Sequence, residues 1–423
     1  MKNICFYFQL HLPYALKRYR FFEIGNDHYY YDDFQTEETI RLLVEKSYLP
    51  ANKTILDIIH HSNKAFKCAF SISGCTLEQL EQYAPEVIDS FRELATTGCV
   101  EFLVEPYAHS LASVFNELEF ERQVQLHAKK IEDLFGYRPT TLRNAELIYS
   151  DEIGEKAYQM GYQSIVVEGG RDILGWKSAH YLYHHPHKKN LKILMRDYKL
   201  SDDITFRFSD KSWTDYPLTA DKYIQWIANA PAEEELINIW LGYETFGLKQ
   251  DASSGILDFL KAIPYQAIVH GIEFITPTEA TQKLESKDSL SAPYTSAWGS
   301  EEKDLSSWTG NDLQQEALQK LYAVTERVHL CKHKTLKRDW LMIQSSDYFR
   351  YMSHRNAYNS PYDSAYDAFV NYMNILSDFL LRVDAEYPSS IENEELNALL
   401  KTITEQEKEI SNLTKQLYTK NKK

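Results

Sequence analysis

Seven short apolar runs, separated by stretches of helical periodicity, occupy the first two thirds of this chain. They lie at Ile4–Leu10, Lys67–Ser73, Val100–Val104, Thr141–Ala145, Ser164–Val167, Lys192–Arg196 and Leu236–Leu241, with an eighth near Ile268–Ile275. Runs such as Ile165-Val166-Val167 and Ile237-Asn238-Ile239-Trp240 are almost continuously apolar, as parallel strands covered on both faces must be. The intervening helices are expected at Leu77–Thr97, Leu118–Phe135 and Asp151–Met160. This βαβα alternation predicts an α/β protein, and about seven units over about 280 residues suit a parallel (β/α)7-type barrel better than an open sheet.

The remainder has a different character. A Ser-rich polar stretch over residues 281–300 is expected to be a linker between the barrel, residues 1–280, and a helical domain, residues 301–390. Within that domain Leu313–Val328 is periodic, and Ser360-Pro361-Tyr362-Asp363 predicts a helix start, with Ser as cap and Pro at the first position. That helix continues through Phe369, Met373, Leu376 and Leu380. Residues 391–423 carry Leu396, Leu399, Ile403, Gln406, Ile410, Leu413 and Leu417 on one helical seam. Such a helix either packs on the body or pairs with a second copy of the chain.

Composition removes several classes of function. The 423 residues hold 46 basic and 61 acidic side chains, a formal charge of −15. An acidic chain without a clustered basic run has no footprint for nucleic acid. No run of eighteen apolar residues suggests a membrane span, and the opening residues lack a signal-peptide pattern. Cys5, Cys68, Cys75, Cys99 and Cys331 are odd in number and show no CxxC spacing, which fits buried, reduced thiols in a cytoplasmic protein. With 30 Tyr, 20 Phe and 7 Trp, the chain has many rings of the kind that stack on sugars.

In a parallel barrel, reactive groups collect where strands end. The first strand ends in Gln9-Leu10-His11, the third leads to Glu101, Glu105 and His109, the fourth to Arg143-Asn144-Ala145-Glu146, and the seventh to Trp240-Leu241-Gly242-Tyr243-Glu244. Asp151 and Glu152 follow Ser150 and are assigned to the first turn of a helix. Glu146 sits at the end of an apolar run, where an unused carboxylate is costly, so a functional role is the better reading. His180, His184, His185 and His187 resemble a metal cluster in composition only, because Pro186 breaks their helical presentation. No metal and no cofactor is expected.

These segments, in this order, resemble glycoside hydrolase family 57, in its α-amylase-like branch. Arg18–Phe22, Asp27–Asp33, Tyr198–Asp203 and Asp304–Asn311 are also similar to that branch. The resemblance implies a (β/α)7 barrel followed by a helical domain, and retaining chemistry on α-glucans. It implies that Glu146 is the nucleophile, His11 a sugar contact, Glu101 the acid of the second motif and Trp308 the aromatic of the fifth. Glu105, His109, Trp240, Tyr243 and Asp304 join them as candidate substrate contacts.

The sequence departs from the family in the first motif, where Leu12 stands between His11 and Pro13, and where Gln9 replaces a frequent Glu. A third departure concerns the acid. The family's proton donor is the Asp of an Asp-Tyr-Glu-Thr-Phe-Gly motif, and that position is Gly242 here. Retaining hydrolysis needs a nucleophile and an acid about 5–5.5 Å apart. With glycine in the acid's place, hydrolysis is expected to be weak or absent. The alternatives are a non-catalytic α-glucan-binding protein, or an active hydrolase or transferase with Glu244 as substitute acid. In an extended strand Glu244 would face the same way as residue 242 but about 6.6 Å further along, which argues for a different task.

Overall fold

The computed structural model describes residues 1–299, 302–355 and 359–387, with isolated helical positions between 399 and 413. It is an α/β protein with a mostly parallel sheet and many helices. The strands are β1 (Asn3–Leu10), β2 (Cys68–Ile72), β3 (Val100–Phe102), β4 (Thr141–Arg143), β5 (Ser164–Glu168), β6 (Leu182–His184), β7 (Lys192–Arg196) and β8 (Leu236–Gly242). β1 is central, pairing in parallel with β2 and β8, and β2 continues to β3. β4 pairs with β5, β5 with β7, and Arg196 of β7 with Asn238 of β8, all in parallel. A parallel bridge between Val104 and Leu142 links β3 to β4. β6 runs antiparallel to β7, and Glu273–Phe274 adds a short parallel partner to β1.

Alternation along each strand divides the core. Ile4, Phe6, Phe8 and Leu10 of β1 join Ile237, Ile239 and Leu241 of β8 in one apolar cluster. Cys5 and Tyr7 of β1, with Leu236 and Trp240 of β8, join a smaller cluster on the opposite faces of the strands. Gly242 falls on the Trp240 side by the same period. All five cysteines are free and buried. No helix among the described residues is long and apolar enough to cross a membrane.

Several sequence expectations change in detail. The predicted helix Leu77–Thr97 is two helices, Gly74–Tyr83 and Pro85–Thr96, because Pro85 opens the second. Leu313–Val328 likewise divides into Asp312–Ala323 and Thr325–Leu330. The expected start at Ser360-Pro361 does not form. The helix runs from Ala365 to Glu386, and Ser364 caps it by accepting from the Asp367 amide. The apolar run Ile268–Val269 belongs to a helix, Ile256–Val269, and only Glu273–Phe274 extends the sheet.

The described part of the polar segment, residues 281–299, packs against the body. Ser296 bridges to Tyr149, and the Asp151 carboxylate accepts from Ser291 Oγ (2.7 Å) and the Ala292 amide (2.8 Å). Asp151 therefore ties this segment down, while Ser150 caps the helix. Leu399, Ile403, Ile410 and Leu413 are exposed helical positions, and the rest of that seam apart from Gln406 lies outside the described residues.

Candidate active site

The C-terminal ends of parallel strands all face one way, so side chains just beyond them meet. β1 delivers His11, the turn after β3 delivers Glu105 and His109, and the end of β4 delivers Arg143 and Glu146. Glu146 lies in the short 3-10 turn Ala145–Leu147 with φ 54° and ψ 23°. His109 and Leu147 also have positive φ. Left-handed backbone at non-glycine residues costs energy and gathers at functional sites, and three such residues adjoin here.

Glu146 is held by long-range partners. Its Oε1 accepts from Ser346 Oγ (3.0 Å), and its Oε2 accepts from Trp298 Nε1 (2.5 Å). His109 Nε2 lies 3.3 Å from Oε1, close enough for charge attraction but without the alignment of a hydrogen bond. Burial alone would raise the pKa of this carboxyl, which is 4 % exposed. His109, with Arg350 and Arg143, instead holds it well below the usual carboxylate range. Glu146 is thus ionised at neutral pH, as a nucleophile must be.

Beneath it lies a fully buried charge cluster. His109 Nδ1 donates to Glu105 Oε2 (2.6 Å), and Arg143 Nη1 donates to the same oxygen (2.9 Å). Arg143 also lies 5.2 Å from the Trp240 ring, whose Nε1 donates to Gln9 Oε1 (3.1 Å). Burial and Arg143 oppose a charge on His109, yet Glu105 and Glu146 raise its pKa above the ordinary value. Its ring stacks on His11 at 3.9 Å. His11 Nε2 donates to Asp347 Oδ2 (2.7 Å), so its Nδ1 accepts from Ser73 Oγ (2.8 Å). Burial and His109 lower the His11 pKa and keep it neutral.

Gly242 ends β8 with φ −65° and ψ 135°, a conformation open to any residue. The chain then turns at once into the 3-10 segment Tyr243–Thr245. This bend overturns the extended-strand estimate for Glu244. A Cβ built on Gly242 would stand 2.7 Å from Glu244 Cδ and closer still to both of its carboxyl oxygens. Burial pushes the Glu244 carboxyl above the usual range, offset only in part by its own amide and by Lys249.

Other candidates stand elsewhere. Glu101 accepts from Thr141 Oγ1 (2.8 Å) and the Thr278 amide (2.9 Å), near the start of β4 and away from the strand ends. Tyr243 points into the outer core, where its hydroxyl donates to Asn52 Oδ1 (2.5 Å) and its ring meets Phe8 and Phe70. Trp308 is fully buried below Gly299, and Asp304 accepts from the Ser306 amide (2.9 Å). Trp240 is buried under Arg143, which makes it part of the floor. His180 lies between Asp197 and Glu234, at 2.6 Å from each, and His185 donates to the Asp151 carbonyl.

Sequence reasoning missed Trp298, Ser346 and Asp347. Asp347, in the helix Ser346–Arg350, has a side chain 20 % exposed and brings a further carboxylate to the site. The available signal was the polar run Gln344-Ser345-Ser346-Asp347 between Ile343 and Tyr348, since polar residues at such helix-flanking core positions need partners.

Comparison with known proteins bears on the fold and the family. The family described as glycosyl hydrolase family 57 matches residues 5–293. A protein of Methanocaldococcus jannaschii named putative alpha-amylase is 36% identical over 397 residues, covering 89% of this chain and 84% of that one. A GH57 branching enzyme from Thermococcus kodakaraensis superposes with a TM-score of 0.69 at 13% identity, over 94% of each chain. An alpha-amylase from Thermotoga maritima superposes with a TM-score of 0.63 at 12% identity, over 94% of this chain and 96% of that one. At such identity the two structures speak for the fold alone. The sequence match over most of the chain goes further: this protein belongs to glycosyl hydrolase family 57.

Proposed function

We propose that this protein is a retaining glycosidase of α-1,4-glucans in which Glu146 is the nucleophile and Glu244 the general acid. The fold is read as a (β/α)7 barrel over residues 1–280: the pairings from β4 through β5, β7, β8, β1 and β2 to β3, with the Val104–Leu142 bridge, support closure. The helical region that follows lends Ser346 and Asp347 to the site.

The carrying observation is the pair of opposed carboxyl environments. Glu146 is pulled down among His109, Arg350 and Arg143, whereas burial pushes Glu244 up. Environments that separate two carboxyls in this way support a base or nucleophile at the first and an acid at the second. Glu146 Oε1 or Oε2 would attack the anomeric carbon while the Glu244 proton passes to the departing glycosidic oxygen. Glu244, then ionised, would take a proton from water as that water releases the sugar from Glu146. The carboxyl in the space beside Gly242 supports turnover with Glu244 as substitute acid. The related protein's name, putative alpha-amylase, supports the substrate class.

The test is release of reducing ends from maltoheptaose and soluble starch by wild type and Glu146→Gln. Turnover by wild type, with the variant below about 1 % of it, supports the reading. Equal rates in the two proteins would remove Glu146 from the chemistry.

A further inference from the structure

A second groove lies outside the catalytic cluster, between the loop that leaves β1, the end of the helix Gly74–Tyr83 and the helix Lys334–Met342. Its volume is about 370 Å³, within the usual range of small-ligand sites, and its lining includes Tyr14, Tyr29, Tyr31, Asp33, Arg338 and Asp339.

Three tyrosine rings form one wall. Tyr31 lies 5.4 Å from Tyr14 and 5.6 Å from Tyr29, and Tyr29 is 50% exposed. Each hydroxyl is anchored. Tyr29 donates to Asp33 (2.7 Å), Tyr31 donates to Asp339 (3.4 Å), and Tyr14 accepts from Arg338 (3.1 Å). The rings are therefore fixed before any ligand arrives, which lowers the ordering cost of binding.

Most of the charges around them are paired with one another. Arg338 pairs with Glu78 at 2.8 Å, and Arg382 pairs with Asp339 at 2.8 Å. An anionic ligand would meet Asp33 and Asp339, and a cation would meet the two arginines. A neutral ligand with apolar ring faces and a rim of hydroxyls suits both the tyrosines and the paired polar groups. That description is a sugar chain.

The groove backs onto the catalytic site without opening into its carboxylates. Tyr14, Cys75, Tyr107 and Met342 form a buried layer, and Cys75 Sγ on that layer lies 3.7 Å from His11 Nδ1. We propose that the Tyr14–Tyr29–Tyr31 groove is a second, non-catalytic binding site for α-glucan, which holds polymer beside the catalytic pocket. The proposal rests on the α-glucan reading given above.

The experiment is electrophoresis of the full chain in native gels with and without glycogen, with maltoheptaose hydrolysis measured in parallel. Tyr29→Ala and Arg338→Ala should each weaken retardation by glycogen about 5- to 10-fold, leaving maltoheptaose turnover within about twofold of wild type. Tyr29→Trp should keep retardation, because the stacking face remains. Unchanged retardation in both alanine variants, or a wild type that glycogen does not retard, would overturn the second site. Failure of wild type to hydrolyse maltoheptaose, with retardation still lost in Tyr29→Ala, would instead fault the enzymatic reading and leave the groove standing.

Discussion

The Glu244 carboxyl group occupies the space that a side chain on Gly242 would enter: a Cβ at residue 242 would lie 2.7 Å from Glu244 Cδ. The Gly242 backbone does not require glycine, since its φ is −65°. A side chain at this position would therefore have to move the Glu244 carboxyl. Gly242→Ala and Gly242→Asp should both displace Glu244 and lower starch hydrolysis. Steady-state rates check this, and a rise in rate for Gly242→Asp would show that the space was merely vacant.

The pH profile follows from the two carboxyls. Glu146 must be ionised, and its pKa is depressed, so the acidic limb of kcat/KM should fall below the ordinary 4.5 of a glutamate. Glu244 must be protonated, and its pKa is raised, so activity should be lost only as pH climbs through a value above 4.5. His109→Asn removes the chief group that lowers Glu146 and should move the acidic limb upward while leaving the basic limb in place. Profiles of kcat/KM for wild type and this variant measure both shifts.

Glu105 supports the site through stability. It is fully buried and accepts from both Arg143 and His109. Removing one partner of a buried ion pair leaves the other charge uncompensated, at a cost of about 3–5 kcal/mol. Glu105→Gln should therefore lose about that much in denaturant unfolding at pH 7. Because the folded-state pKa of Glu105 is depressed, its contribution is complete above its unfolded value of about 4.3 and is lost as pH falls further. The difference between wild type and variant should shrink in acid.

Much of the framework was legible because parallel strands buried on both faces leave continuous apolar runs. β7 falls on the expected residues, and most of the other strands differ at their ends by one or two positions. Periodicity could not register the break at Pro85 or the late start at Ala365, which depend on local capping. Glu146, His11, Glu105 and His109 converge as their positions beyond strand ends suggested. Trp298 and Ser346 could not be read this way, since they reach Glu146 across 152 and 200 residues of chain. The placement of Glu244 could not be read from a strand period, because the backbone turns after Gly242.

The central claim is that Glu244 is the acid, and its most direct test compares wild type with Glu244→Gln on two substrates. Maltoheptaose has a leaving group that needs protonation, while α-maltosyl fluoride has one that departs without it. Glu244→Gln should lose about 10²–10⁴-fold on maltoheptaose and change little in the first-turnover burst of fluoride, which precedes the step that needs Glu244 as base. Equal rates for the two proteins on maltoheptaose would contradict the account, as would an equal loss of maltoheptaose hydrolysis and of the fluoride burst.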